Sequence, residues 1–280
     1  MNLHVQQGVS LKPFNTLGVE AKARWFAEAH NDAEVRAALA EARQLGVPLQ
    51  VIGGGSNLLL TGDLEALVLR MASRGARVLE ERSGRVLIEA EAGEPWHPFV
   101  LWTLEQGLRG LENLSLIPGT VGAAPMQNVG AYGVEIKDRF AGLTALDRAN
   151  GELREFQLED CQFDYRDSLF KREPHRWLIL RVRFWLERAG DLHLDYGPLR
   201  QRLAEWGIAH PSAVDVSAAI CSIRREKLPD PAQLGNAGSF FKNPLVSQSL
   251  ADRLRQQYPD LVAYPAAHGQ VKLAAGWLIE

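Results

Sequence analysis

No part of this sequence approaches the roughly 20 consecutive apolar residues that span a bilayer. The opening MNLHVQQGVSLKPF also lacks the basic start and apolar run of an export signal. A cytoplasmic chain without a membrane segment is therefore expected. Cysteine is scarce: Cys161 and Cys221 are the only two, and they form no C-x-x-C pair. That excludes a disulfide framework or a zinc ribbon and leaves two reduced, partly buried side chains as the expectation. The seven histidines, at 4, 30, 97, 175, 193, 210 and 268, never fall at H-x-x-x-H spacing, which argues against a metal centre. Basic excess is missing as well. With 31 Lys and Arg against 34 Asp and Glu, the formal net charge is −3, so nothing marks a nucleic-acid or membrane-surface partner. The expected partner is a small molecule.

What is present is ordinary globular composition, 46% hydrophobic and 23% charged over 280 residues, enough for two or three domains. Asn31 or Asp32 can cap a helix whose apolar positions Val35, Ala38, Leu39, Ala42 and Leu45 recur at helical spacing, with Gly46 and Pro48 closing it. Strands are predicted at 49–53, 66–71 and 84–93, and a helix at 95–107. Residues 143–158 carry the Asn150-Gly151 turn of a hairpin, and 176–187 places Leu178, Leu180, Val182, Phe184 and Leu186 on one strand face. Beyond residue 196 the pattern turns helical in PLRQRLAEWG, VDVSAAICSIRREK and SLADRLRQQY. The last segment, VKLAAGWLIE, reads as a helix that stops without a C-cap, so the chain is expected to be incomplete at its end.

Two glycine-rich loops stand out. VIGGGSN, 51–57, follows a strand, where backbone N–H groups can approach an anion. It matches neither G-x-G-x-x-G, whose third glycine would fall at Leu58, nor a P-loop, and a plain tight turn remains an alternative. The second, LIPGTVGAAPMQNVGAYG at 116–133, packs four glycines into a run without helical or strand period. An irregular stretch of that length is usually functional, and two such loops suggest one extended dinucleotide between them.

FNTLGVEAKARWF (14–26), VIGGGSNLLL (51–60), GLENLSLIPGTVGAAPMQNVGAYGVEI (110–136), YRDSLFK (165–171), RREKLPDP (224–231) and GNAGSFFKNP (235–244) together resemble the UDP-N-acetylenolpyruvoylglucosamine reductase family, in order and across almost the whole chain. LHLDYGPL (192–199) is similar to the form of the family with a tyrosine-bearing loop. The resemblance implies an α+β protein: an FAD-binding domain of the vanillyl-alcohol-oxidase type in two subdomains, 1–75 and 76–205, then an α/β substrate-binding domain, 206–280. It implies FAD and NADPH as cofactors, a UDP-sugar as substrate, a monomer, and reduction of an enolpyruvyl ether in cell-wall precursor synthesis. FAD would be held by Gly53, Gly54, Gly55, Ser56, Asn57 and Leu58 of the first loop. From the second it would meet Ile117, Pro118, Gly119, Gly122, Ala123, Asn128 and Gly130.

Hydride addition to the terminal carbon of the enolpyruvyl group leaves negative charge to spread into the substrate carboxylate, and the neighbouring carbon then needs a proton. Arg166 suits the first task, because a guanidinium stays charged and presents paired donors; the plain alternative is a surface arginine paired with Asp164 or Asp167. The resemblance assigns the proton to Ser239, in a turn where Phe240 and Phe241 could exclude water and Lys242 could add positive potential. A purely structural Gly-Ser-Phe turn is the competing account. Arg224 and Lys227 lie three apart near a helix end, where both could reach a diphosphate or simply complement the helix dipole. By resemblance, Lys227 and Asn243 hold the diphosphate, Tyr196 closes over it, and Tyr132, Tyr165 and Tyr264 line the sugar pocket. Each tyrosine could equally be a core residue with a satisfied hydroxyl. The family's C-terminal glutamate falls beyond Glu280, and its role is not transferred. Two other functions stay open: a different flavin oxidoreductase of the same fold, which would not need the basic RREKLPDP segment, and a flavin or UDP-sugar binding fragment without turnover.

Overall fold

The computed structural model describes residues 3–238, 240–266 and 269–280. The chain divides into two compact units, Met1–Asn236 and Ala237–Glu280.

The first unit begins with a four-stranded sheet made of β1 (Gln6–Ser10), β2 (Lys22–Ala29), β3 (Leu49–Ile52) and β4 (Leu64–Met71), in the order β1-β2-β4-β3. β1 runs antiparallel to β2, while β2, β4 and β3 are mutually parallel. Parallel neighbours require a crossover, supplied by α1 (Asp32–Leu45). The ends of α1 are those read from its sequence: the Asn31 side chain accepts from Glu34 N–H, and Gly46 stops the helix in the left-handed region at φ 67. Its buried Val35, Ala38, Leu39 and Ala42 pack on Leu67, Leu69 and Met71 of β4.

A second sheet follows, entirely antiparallel, in the order β10-β9-β11-β6-β5. Its strands are β5 (Ala76–Arg82), β6 (Arg85–Glu91), β9 (Phe140–Asp147), β10 (Leu153–Phe156) and β11 (Trp177–Glu187). α2 (Trp96–Glu105) covers one face, where Trp96, Phe99 and Phe184 form a ring cluster with centroids 5.7–6.0 Å apart. The sequence puts five side chains of β11 on one face, and here the structure corrects it. A register shift between Ile179 and Arg181 inverts the alternation. Leu178 and Leu180 therefore join the core under α1, whereas Val182, Phe184 and Leu186 face α2. An inserted residue reverses which side chains point to which face.

Between β6 and β9 the chain carries α2, a 3-10 segment over Val121–Gln127, and a two-stranded ribbon of β7 (Gly130–Ala131) and β8 (Val134–Glu135). Two single-turn helices, α3 (Leu158–Cys161) and α4 (Leu169–Arg172), precede β11. The unit then closes with α5 (Gly197–Glu205) and α6 (Ala213–Lys227), packed through Leu199, Leu203, Val216, Ala219 and Ile220.

In the second unit, β12 (Leu245–Ser247), β13 (Ala263–Pro265) and β14 (Gln270–Leu273) form a sheet in the order β12-β14-β13. With it go α7 (Gln248–Gln257) and the short α8 (Ala275–Ile279). The expected terminal helix over VKLAAGWLIE is thus half strand. Val271 and Leu273 alternate with Lys272, so the period is two, and both are buried on Ala251 and Leu261.

Candidate active site

The two glycine loops of the first unit lie against each other. Ser56 Oγ donates to Pro118 O at 3.2 Å, and Asn57 Nδ2 to Gln127 Oε1 at 3.3 Å. A Cβ on Gly54 would stand 2.9 Å from Gly119 Cα, and one on Gly122 would meet Ala92 Cβ at 2.5 Å. Neither position accepts a side chain without backbone movement. The second loop is pinned along its length: Trp96 N donates to Gly119 O, Val121 N to Glu94 O and Gly122 N to Ala92 O. Together the loops present a ledge of main chain with few side chains, and Gly54, Asn57 and Pro118 are exposed on it. A surface of that kind fits a dinucleotide whose pyrophosphate is held by backbone N–H groups. Leu58 turns inward beside Phe14 and Phe26, and Ile117 packs on the α2-side core. Asn128, fully buried at φ 45, donates to Glu135 Oε2 and Asp164 O and accepts from Lys137 N. Its side chain thereby shapes the turn leading to Gly130.

A group of chemical side chains gathers beside the second loop. Arg166 sits at φ 55 and its Nη2 donates to Gly130 O at 2.9 Å. Of the two carboxylates of the plain alternative, Asp167 pairs with Arg172, and no ion pair of Arg166 with Asp164 forms among the described residues. Arg224, on the last turn of α6, donates from Nε to Leu116 O at 3.2 Å and hydrogen-bonds the Tyr132 hydroxyl. Burial lowers the Arg224 pKa below the usual guanidinium range, and the Arg166 charge acts in the same direction, so the two cations are neighbours. Among the described residues neither forms an ion pair with a carboxylate. Burial raises the Tyr132 pKa, opposed by Arg224. The Tyr132 ring meets Tyr196, the residue preceding α5, edge-on at 5.0 Å. Tyr165, adjacent to Arg166, is half-buried, and Lys227 closes α6 in an exposed position.

Ser239 lies outside the described residues. Its neighbours Phe240 and Phe241 are 67% and 62% exposed and contact each other edge-on, so within the second unit they do not form the enclosure expected of them. Asn243 Oδ1 accepts from Ala275 N at 2.8 Å, and Tyr264 stands on β13 across from Lys272.

Sequence reasoning passed over His97 and Asn113. His97 Nδ1 accepts from Leu116 N, and Asn113 Nδ2 donates to Tyr132 O and His193 O. Both act on backbone groups far along the chain, a role without a local pattern. The one available hint is the position of His97 in the first turn of a helix beginning Pro-Trp-His.

Comparison with known proteins supplies what geometry alone does not. The family described as "FAD binding domain" matches residues 23–157. UDP-N-acetylenolpyruvoylglucosamine reductase of Pseudomonas fluorescens is 72% identical over 280 residues, all of this chain and 83% of that protein. The chain belongs to the UDP-N-acetylenolpyruvoylglucosamine reductase family. The family member of Azoarcus sp. is 51% identical over 99% of this chain and 81% of its own length. Among solved structures, the reductase of Thermus caldophilus superposes with a TM-score of 0.62 at 24% identity, covering 97% of this chain and 88% of the other. A solvent-stable cholesterol oxidase follows at 0.51 and 16% identity, over 66% of this chain and 38% of the oxidase. These structural likenesses fit the α+β, vanillyl-alcohol-oxidase-type fold expected from sequence. As a family member the chain is an FAD-dependent oxidoreductase, which sets aside a non-catalytic binding role as the family's function.

Proposed function

We propose that the chain reduces UDP-N-acetylglucosamine enolpyruvate to UDP-N-acetylmuramate in peptidoglycan precursor synthesis, with NADPH as reductant. In this reading it works as a cytoplasmic monomer on a nucleotide-linked sugar. The observation that carries it is the neighbouring pair Arg166 and Arg224: two guanidiniums, one largely buried, without a protein carboxylate on either among the described residues. Such a pair attracts an anion, and a carboxylate accepts paired N–H donors from a guanidinium.

FAD, when bound along the glycine loops, supplies hydride transfer between NADPH and the terminal enolpyruvyl carbon. Arg166 binds the substrate carboxylate and stabilises the charge that develops on it, worth more in a water-poor site than in solution. The backbone of Gly130, by accepting from Arg166, fixes the direction of that guanidinium. Tyr132 and Tyr196 wall the sugar with Tyr165, and Arg224 and Lys227 take the diphosphate; the resemblance adds Asn243 and Tyr264 as the substrate residues of the second unit. Ser239 delivers the proton to the carbon beside the carboxylate. A serine hydroxyl is a weak acid, so it acts here only because that carbon carries carbanion character. Support for Ser239 is its place in GNAGSFFKNP.

The test separates the two half-reactions. Ser239→Ala, loaded with FAD and kept anaerobic, is expected to lose the flavin absorbance on adding NADPH at the wild-type rate. Its recovery on adding the enolpyruvyl UDP-sugar should slow by about 10²- to 10⁴-fold. Recovery at the wild-type rate would remove Ser239 from the mechanism.

A further inference from the structure

Leu116 opens the second glycine loop in the left-handed region, φ 58, which a leucine rarely adopts. Both of its peptide groups are held by side chains. Its N–H donates to His97 Nδ1 at 3.0 Å, and its C=O accepts from Arg224 Nε at 3.2 Å. The first turn of α2 grips the same segment twice more, through Trp96 Nε1 to Leu114 O at 2.9 Å and Trp96 N to Gly119 O at 3.0 Å. An imidazole nitrogen accepts only when it carries no proton, so the contact requires neutral His97 with its proton on Nε2. Nε2 faces Cys221 Sγ at 3.9 Å, and both residues line a cleft of 820 Å³ between α2 and α6.

We propose that His97 is a positioning residue: it holds Leu116 in its left-handed conformation, and the Leu116 carbonyl in turn directs the Arg224 guanidinium toward the bound UDP-sugar. The proposal rests on the assignment of Arg224 to substrate made above. The surroundings favour the neutral ring. Burial lowers the His97 pKa below the usual imidazole range, and Arg225 and Arg224 of α6 add to that. Cys221 faces the ring from the same helix, and Glu105 and Glu226 are the carboxylates of the cleft. The contact is therefore present at neutral pH and lost as pH falls through the lowered value, when Nδ1 gains a proton and turns from acceptor to donor.

The FAD-loaded chain would be titrated with UDP-N-acetylglucosamine enolpyruvate, following the perturbation of flavin absorbance, for wild type, His97→Gln, His97→Asn and Arg224→Gln. His97→Gln moves the amide to the place of Nε2 and strands the Leu116 N–H, and is expected to raise Kd about tenfold with the flavin spectrum before sugar unchanged. His97→Asn puts Oδ1 where Nδ1 was. It should restore Kd to within about threefold of wild type, and should lack the acid-side weakening that wild type shows. Arg224→Gln weakening the sugar while His97→Gln does not, or His97→Asn failing like His97→Gln, overturns the positioning role. No effect of Arg224→Gln overturns instead the assignment of Arg224. A readout independent of ligand and of variant folding is the ¹⁵N spectrum of the wild-type ring, expected to show the Nε2–H tautomer; an Nδ1–H tautomer would refute the contact.

Discussion

Strand β11 of the first unit buries Leu178, Leu180, Val182, Phe184 and Leu186 to 2% exposure or less, on two faces of one sheet. In the three-stranded sheet of the second unit, only Val271 and Leu273 are buried among the described strand residues, each at 3%. The contrast separates two ways of building a sheet. One is sandwiched between cores and draws its stability from apolar area on both sides; the other is covered on one side and leaves little in reserve. The glycine ledge stands in the first kind of unit, where a rigid scaffold can hold main chain open for a ligand.

The sharpest way to break this contrast is at Trp96, which is 1% exposed, packs on Phe99 and Phe184, and holds Leu114 O. Trp96→Ala is expected to cost about 3–5 kcal/mol and to release FAD at a correspondingly lower denaturant concentration, read from flavin fluorescence. A loss under 1 kcal/mol would mean that the first core is less decisive than its burial suggests. Val271→Ala should cost about 2 kcal/mol in the second unit, lowering the far-ultraviolet transition of that unit while leaving the flavin-release transition in place. Simultaneous loss of both would show that the two units unfold as one. The smallest effect is at the start of α6. Ser212 Oγ accepts from Asp215 N, and Asp215 Oδ2 accepts from Ser212 N and Oγ, holding the Asp215 carboxylate below its ordinary pKa. Ser212→Ala is expected to cost about 1 kcal/mol. Because the carboxylate pKa is lowered on folding, its contribution is present above the ordinary carboxylate range and fades as pH falls through the lowered value. Urea unfolding should therefore show a wild-type advantage that shrinks on the acid side, where the carboxylate's share fades, while the Asp215 N–H to Ser212 Oγ bond persists.

Much of the first unit was legible because its signals are local. Asn31 and Gly46 bracket α1, Asn150-Gly151 turns β9 into β10, and the glycine loops interrupt any period. β1, β2 and β5 escaped: the sequence QQGVS has no alternation to read, and its pairing comes from β2 alone. β14 was mistaken for helix because four residues are too few to distinguish a period of two from one of 3.6 when alanines follow. In the site, the motif pointed to Arg166 but not to the pairing of Asp167 with Arg172 or the bond from Arg166 to Gly130. His97 was invisible for a deeper reason. Its partner is a backbone N–H 19 residues away, exposed to it by a left-handed turn that no residue type at Leu116 announces.

The place of β11 in its sheet also bears on how the chain is made. β6 ends at Glu91 and β9 at Asp147, yet β11, the strand that joins them, is complete only at Glu187. At about 5–20 residues per second, a ribosome needs roughly 5 to 20 seconds to cover that interval after β6 is finished. Throughout it β6 has an unpaired edge, and Val86, Ile88 and Ala90 have α2 but not yet Val182, Phe184 and Leu186 to pack on. Slowing translation before Trp177 would lengthen the exposure of that edge.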